Sequence, residues 1–308
     1  MDATAPRNDF DHWPSLPYGE WRETYETLHM WTQIVGKVKL AMNSYVNHWW
    51  QVPLYVNARG LTTSAMHYGD RVFQIDFDFI EHKLYVRGGN DRTLSLDLAP
   101  RSVADFYGEF KSRLDSLGIR ANIWTTPVEV ENPVPFERDE QHHAYDPEHA
   151  NRFWRSLVQA DRVFQTFRSG FTGKCSPVHF FWGSFDLAVT RFSGRRAPEH
   201  PGAPGVADSV TREAYSHEVS SAGFWPGGPA MPEPVFYSYA YPEPEGFKDF
   251  RVGPDGARYD GNFKEFVLPY ETVRASENPD AGLLRFLQDT YEAAATRGRW
   301  DRASLERR

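Results

Sequence analysis

The chain has 308 residues, of which 40% are hydrophobic, 25% charged and 15% aromatic, and its net charge is −8. This length predicts two domains or two closely packed halves, and the composition is typical of a soluble globular protein. The acidic balance argues against a nucleic-acid partner, since such a surface needs clustered lysine and arginine side chains. The single cysteine, Cys175, excludes an internal disulfide and a multi-cysteine zinc site.

Membrane association is not expected from the apolar segments. The N-terminal residues lack a basic region followed by an apolar one, which is the pattern of a signal peptide. The longest apolar runs are too short to cross a bilayer. We therefore expect a cytoplasmic protein with no membrane partner.

The first half of the chain alternates between helical and strand patterns. Residues 1–19 are polar and rich in proline and predict a loosely attached N-terminal arm. Apolar residues at steps of three and four predict a long amphipathic helix from Trp21 to Tyr45. Strands are predicted at 48–59, 73–79, 83–87 and 93–98. Ser102 begins a helix that ends at Gly118.

The second half begins after a connector at 127–145, which is rich in proline and charge. Asp146 and Pro147 are typical of a helix N-cap and a first helical residue. One long strand is predicted over 176–195, and further strands at AYSHEVSSAGF, VFYSYAY and FKEFVLPYETV. Asn278 and Pro279 begin a last helix, which is followed by a charged C-terminal tail at 299–308 that we expect to fray.

The two halves, 20–126 and 146–298, share an order of elements: a long helix, four strands and a helix. The phrases NHWWQVPLYVNARGLTTS and VHFFWGSFDLAVTRFSGR align without a gap when His48 is placed on His179, which indicates an internal duplication. We predict an α+β protein of two pseudo-symmetric halves, each with a helix and a four-stranded antiparallel sheet. The groove between the opening strands of the halves is the expected binding site.

Several long phrases in the chain resemble a known family. They are LHMWTQIVGK, NHWWQVPLYV with ARGLTTS, DRVF, SPVHFFWGSFDLAVTRFSGR, YSHEVSSAGFWPGG and YSYAYPEP. In this order they resemble DUF5996, a bacterial family of unknown function, from about Trp21 to the final helix. The resemblance implies no activity, substrate or cofactor, so the chemistry depends on the individual residues.

The candidate catalytic residues are His217, Asp186 and Glu218. Imidazole titrates near neutral pH, so His217 could act as a general base whose tautomer is held by a carboxylate. As neighbours in a strand, His217 and Glu218 point to opposite faces unless a bulge intervenes. A structural hydrogen bond is the alternative role for His217.

The candidate ligand-binding residues are Trp182, Ser184, Arg191, Arg195, Trp225, Tyr239 and Arg59. Arg191 or Arg195 would hold a carboxylate or phosphate by paired hydrogen bonds. The tyrosines of FYSYAYPEP could stack on a flat ligand or form a cross-strand ladder. DEQHHAYDPEH contains many metal-capable side chains, but Asp146 is better explained as a helix cap, and we predict no metal site.

Two classes of function are compatible with these patterns. The first is binding of, or action on, a small aromatic or anionic molecule in the cleft between the halves. The second is a non-catalytic protein–protein interaction or scaffold protein, in which aromatic faces pack against a partner. No glycine-rich phosphate loop or nucleophile elbow is present, so the reaction and the cofactor stay open, as does the oligomeric state.

Overall fold

The structure is a computed structural model that describes residues 12–89 and 91–307. Seven α-helices and two antiparallel sheets lie in this part of the chain, which confirms the predicted α+β class. The helices are α1 (Tyr18–Met42), α2 (Val103–Ser116), α3 (Pro147–Ser169), α4 (Asp208–Ala214), α5 (Tyr270–Arg274), α6 (Pro279–Arg297) and α7 (Arg302–Leu305).

The predicted helix starts are confirmed by capping hydrogen bonds. Ser102 accepts from the backbone N–H of Asp105 at 3.1 Å, and Asp146 accepts from the backbone N–H of His149 at 3.0 Å. Asn278 caps α6 in the same way. Each side chain satisfies one of the N–H groups that the first helical turn leaves without a partner.

The first sheet has six strands where four were predicted. They are β1 (Tyr55–Val56), β2 (Gly60–Thr62), β3 (Met66–Tyr68), β4 (Arg71–Asp78), β5 (Lys83–Gly88) and β6 (Thr93–Asp97). The order is β1-β2-β4-β5-β6, and β3 also pairs with β4. The strands predicted at 73–79, 83–87 and 93–98 are therefore confirmed.

The strand predicted at 48–59 is wrong over most of its length. Asn47–Trp49 forms a 3₁₀ turn, and both His48 and Trp49 have a φ of 61°. This left-handed conformation cannot continue a strand. Pairing with β2 begins only at Tyr55.

The second sheet also has six strands. They are β7 (His179–Phe181), β8 (Asp186–Arg196), β9 (His217–Trp225), β10 (Val235–Tyr241), β11 (Arg258–Asp260) and β12 (Glu265–Pro269). The order is β11-β12-β10-β9-β8-β7, with antiparallel neighbours throughout.

The single long strand predicted over 176–195 is wrong, because the chain turns back on itself between β7 and β8. Phe185 in this turn has a φ of 60°, and Phe181 pairs with Asp186. His179 therefore shares a face with Asp186, and Leu187 lies on the opposite face. In one continuous strand His179 and Leu187 would share a face, and the turn between β7 and β8 separates them.

The two sheets meet edge to edge. The backbones of Leu54 and Phe180 exchange two N–H···O hydrogen bonds, each 2.9 Å long, which connect the segment before β1 to β7. The opening strands of the halves are thus neighbours in one extended surface and do not form opposite walls of a groove. The alignment behind the proposed duplication also places His48 in a turn and His179 in a strand, so the duplication stays a prediction.

The core extends through both halves. Helix α1 is buried on all sides from Thr27 to Lys39, and it packs against α2 and α3. One face of the second sheet packs against α3 and α6. Because residues of both halves belong to one hydrophobic cluster, the halves share their core.

Both ends of the described chain pack against the rest of the protein, whereas the sequence predicted a loosely attached arm and a frayed tail. Trp13 and Leu16 are buried, and Tyr270 donates a hydrogen bond of 2.8 Å from its hydroxyl to the carbonyl of Pro14. Trp13 and Leu16 therefore anchor this part of the predicted arm in the core, while residues 1–11 lie outside the described residues. Near the other end, the backbone N–H of Arg307 donates to the Gly170 carbonyl at 3.0 Å.

Candidate functional site

The second sheet has one apolar face and one polar face. The apolar face, with Leu187, Phe224 and Phe236, packs against the helices. Alternation along the same strands places Asp186, Gly223, Tyr237, Tyr239 and Glu265 on the opposite side, which we call the polar face.

Asp186 is the most deeply buried carboxyl group of the polar face, with 6% of its surface exposed. The Ser184 hydroxyl donates to its Oδ1, and the Tyr237 hydroxyl donates to its Oδ2. Burial raises the pKa of Asp186, and these two hydrogen bonds act in the opposite direction. Both carboxyl oxygens accept from a hydroxyl, which is the arrangement that suits an ionised carboxylate.

Three tyrosines continue from Asp186 across the face. The rings of Tyr237 and Tyr239 stack with centroids 6.2 Å apart, and the hydroxyl of Tyr215, at the end of α4, lies 2.8 Å from the Tyr239 hydroxyl. Burial raises the pKa of Tyr215, and raises those of Tyr237 and Tyr239 well above the usual value. All three therefore stay neutral phenols at physiological pH.

Two glutamates complete a group of three carboxyls. Burial and the nearby Asp186 raise the pKa of Glu129 to about 7 and that of Glu265 to about 8. Glu129, from the connector, is exposed over much of its surface, but its carboxyl end lies against Gly183 and is the enclosed part of the residue, whereas Glu265 is half-buried. Among the described residues, no lysine or arginine contributes to the pKa of any of the three.

We call the set of Glu129, Asp186, Tyr215, Tyr237, Tyr239 and Glu265 the acid–tyrosine cluster. Like charges at short range are unfavourable, and the glutamates respond by keeping their protons to higher pH. Carboxyls that titrate near neutrality can exchange a proton with a bound molecule. The arrangement is thus suited to binding a cation or to moving a proton.

Two glycines make room for the cluster. A Cβ at Gly183 would lie closer than 3.0 Å to Oε1 of Glu129. A Cβ at Gly223 would lie closer than 3.0 Å to both the Tyr237 ring and the Leu187 carbonyl oxygen. The Leu187 carbonyl belongs to the backbone of β8 and cannot move aside easily, so position 223 requires glycine.

The three predicted catalytic residues are not brought together. His217 pairs with Arg196, while Phe224 pairs with Leu187 next to Asp186. His217 and Phe224 are seven residues apart along β9. At about 3.3 Å for each residue, His217 lies roughly 23 Å from the part of the strand that is beside Asp186. His217 instead lies within 3.1 Å of the Ser216 hydroxyl.

Glu218 is engaged in a structural ion pair. Its Oε2 accepts from Nη2 of Arg195 at 2.6 Å, and the same guanidinium donates to the carbonyls of Gly298 and Arg299 after α6. Glu218 and Arg195 thus tie β8 and β9 to the end of α6.

The other two candidate arginines are also occupied. Arg191 is 2% exposed, donates to the Phe167 carbonyl and lies 4.4 Å from the centre of the Tyr291 ring. Arg59 is in the first half and pairs with Asp78 and with Glu81. These contacts leave both arginines away from the polar face.

Four of the candidate residues do lie in or beside the acid–tyrosine cluster: Asp186, Ser184, Tyr239 and Trp225. Trp182 does not, because its ring packs on Gly36 of α1 and its Nε1 donates to the Val52 carbonyl at 2.9 Å. The sequence interpretation missed Glu129 and Glu265. Alternation in FKEFVLPYETV could have placed Glu265 on the polar face, whereas nothing in the connector indicated Glu129.

Two cavities lie elsewhere in the described chain. One, of about 420 Å³, is lined by residues such as Arg168, Cys175 and Arg307, and the other, of about 250 Å³, borders α2. No group of three or more His, Cys, Asp or Glu side chains in the described residues could hold a metal ion. Within the same residues, every helix is too short or too polar to cross a membrane.

These features define an α+β protein with two antiparallel sheets, one of which carries a face of carboxyls and tyrosines. The chain belongs to the family of unknown function DUF5996, whose family model matches residues 13–307, and the predicted resemblance is confirmed. Neither the curated proteins nor the solved structures contain a match.

Proposed function

We propose that the protein binds a small molecule that carries both a positively charged nitrogen and a flat ring, at the acid–tyrosine cluster. The observation that supports this most directly is that Asp186, held by the Ser184 and Tyr237 hydroxyls, interacts with two further carboxyls, Glu129 and Glu265. No lysine or arginine of the described chain is paired with any of the three. A ligand cation would relieve the repulsion among them.

The tyrosines suit the other part of such a ligand. Tyr237 and Tyr239 stack on one strand face beside Asp186. Trp225 is half-buried and lies in β9 two residues after Gly223, the residue that pairs with Tyr237. The face of an aromatic ring attracts a cation and packs well against another flat ring. The aromatic part of the sequence-based expectation is therefore retained.

An anionic ligand, in contrast, does not suit the polar face. The arginines expected to hold a carboxylate or phosphate, Arg191 and Arg195, are engaged with Phe167, Glu218 and Gly298. An anion would also be repelled by the Asp186 carboxylate. We therefore propose a cationic ligand for this site in place of the anionic one expected from the sequence.

Binding of a cation should be coupled to proton release. Glu129 and Glu265, with pKa values of about 7 and about 8, hold protons for much of the time near neutral pH. A nearby positive charge favours their ionised forms and lowers both pKa values. The apparent enthalpy of binding should then depend on the ionisation enthalpy of the buffer.

The experiment compares three probes of similar shape by isothermal titration calorimetry: benzylamine, benzyl alcohol and benzoate. We expect benzylamine to bind most tightly and benzoate not to bind. Asp186→Asn and Glu129→Gln should each raise the Kd of benzylamine about tenfold, because one charge contact to the ligand is lost. Glu245→Gln, a change at an exposed glutamate, is the matched control.

Two outcomes would reject the proposal. Benzoate could bind more tightly than benzylamine, which would restore the expectation of an anionic ligand. If none of the three probes bound, the alternative of a protein–protein interaction or scaffold role would be favoured.

A further inference from the structure

The cavity of about 420 Å³ is built where the end of the chain docks on the C-terminal end of α3. The backbone N–H of Thr172 donates to the Leu305 carbonyl at 2.7 Å, and that of Arg307 donates to the Gly170 carbonyl at 3.0 Å. These bonds hold residues 305–307 beside the segment after α3. The volume lies in the range of small-molecule sites.

The lining of this cavity is positively charged. It includes the guanidinium groups of Arg168 and Arg307, and no acidic side chain is among its described residues. Arg307 donates from Nε to the Ser169 carbonyl at 2.9 Å, and Arg168 donates from Nη1 to Oε1 of Gln165 at 2.7 Å. Each of these bonds uses one of the five N–H donors of its guanidinium.

The acidic groups closest in sequence are already engaged with other partners. Asp161 accepts from Nε2 of Gln165 at 3.2 Å and also interacts with Arg168, whose charge counteracts the rise that burial causes in the Asp161 pKa. Glu306 is bound by Arg302 and by the Tyr291 hydroxyl. Neither of them lines the cavity. The charge of Arg307, and the part of the Arg168 charge that Asp161 does not offset, are therefore available to a ligand.

Cys175 is the third chemical group of the cavity, and it is half-buried. Burial raises the pKa of its thiol, and Arg168 and Arg191 offset this only in part. The thiol is thus uncharged near neutral pH and does not repel an anion. Because it is the single cysteine of the chain, its alkylation reports on this cavity alone.

We propose that this cavity binds a small anion whose phosphate or carboxylate group is held by Arg168 and Arg307. Guanidinium groups pair with both kinds of oxyanion through charge-assisted hydrogen bonds. The site is independent of the acid–tyrosine cluster, has the opposite charge and uses none of the same residues.

The test measures the rate at which iodoacetamide, a neutral reagent, alkylates Cys175. Inorganic phosphate and acetate are the two probes, at constant ionic strength adjusted with sodium chloride. If only the unoccupied cavity reacts, a probe at about ten times its Kd slows alkylation about tenfold. Protection by phosphate alone identifies a phosphate-bearing ligand, and protection by acetate alone identifies a carboxylate.

Variants establish whether the arginines are responsible. Arg168→Gln and Arg307→Gln should each weaken protection at least about tenfold. Arg152→Gln removes the same charge from an exposed pair on the same helix and should leave protection unchanged. The ratio of rates with and without the probe is compared for each variant, because losing Arg168 also changes the reactivity of the thiol itself.

The result that overturns the proposal is a rate that neither probe changes in the wild-type protein. Equal protection in the wild type and in both cavity variants overturns it as well. Arg307 lies at the end of the described chain, so Arg307→Gln keeps the test decisive if Arg168→Gln fails to fold.

Discussion

The substitution Glu265→Gln tests the electrostatics of the acid–tyrosine cluster most directly. Glutamine has nearly the shape of a protonated glutamate, and it cannot ionise. In the wild type, burial and the neighbouring Asp186 and Asp260 raise the pKa of Glu265. The variant therefore keeps the packing and removes the ionisation that the folded protein opposes.

The sign follows from the proton affinities of the two states. Since folded Glu265 holds its proton more tightly, its contribution to the free energy of unfolding is complete below about pH 4.5. As the pH rises, the unfolded chain loses this proton first, and the contribution disappears by the time the pH passes about 8. Glutamine at 265 has no such loss.

The magnitude can be bounded. A pKa that rises from 4.5 to about 8, at about 1.4 kcal/mol for each tenfold change in proton affinity, is equivalent to at most about 5 kcal/mol. Because the side chain is half-buried and water screens its charge, we expect about 1–2 kcal/mol. Glu265→Gln should gain this amount relative to the wild type between about pH 5 and pH 8.5.

The assay is urea unfolding of both proteins at a series of pH values, followed by tryptophan fluorescence. Taking the difference between them cancels the titration of groups that do not interact with Glu265, so it reports on Glu265 together with its coupling to Asp186 and Asp260. Glu245→Gln, at an exposed glutamate, should show no such trend. A stability difference that is constant with pH, or that falls as the pH rises, would refute the reasoning.

Three further substitutions test the packing of the second sheet. Gly223→Ala should lower the free energy of unfolding by about 1–3 kcal/mol, because its Cβ would overlap backbone; Gly261→Ala, which meets no atom within 4 Å, is the control for this melt. Tyr237→Phe should cost about 1–2 kcal/mol and raise the pKa of Asp186, since a hydrogen bond to the carboxylate is lost; an NMR titration that finds the carboxyl pKa unchanged would contradict this. Arg191→Ala should lower the free energy of unfolding by about 3 kcal/mol or more in thermal melts, because the Arg191 side chain fills the core. A decrease below about 1 kcal/mol would contradict its role in the core.

Much of the secondary structure was predictable because local patterns determine it. The three-four spacing of apolar residues and the caps Ser102, Asp146 and Asn278 located the helices to within a few residues. The alternation around Phe77 located β4. These signals require no knowledge of distant residues.

The errors arose where a residue other than glycine adopts a positive φ. His48, Trp49 and Phe185 interrupt two predicted strands in this way. L-residues seldom adopt this conformation, and tertiary contacts must support it, so neither propensity nor periodicity indicates it. Reversal of the chain at Phe185 changed which residues share a face with Asp186.

The candidate site was only partly predictable because its members are distant in the sequence. Asp186 and Tyr239 were identified, since each stands out within its own strand. Glu129 joins them from the connector, and Glu265 comes from a strand much later in the chain. Arg191 was assigned to a ligand because its burial among aromatic rings is visible only in three dimensions.

The position of α1 has a consequence for how this chain could be divided. The helix belongs to the first half, yet Trp21 stacks on Phe153 of the second half with ring centres 5.1 Å apart, and Tyr25 contacts Phe185. A polypeptide cut within 127–145 would yield two fragments that each expose half of an interior. They should stay unstructured when produced separately and regain their fold by complementation when they are mixed.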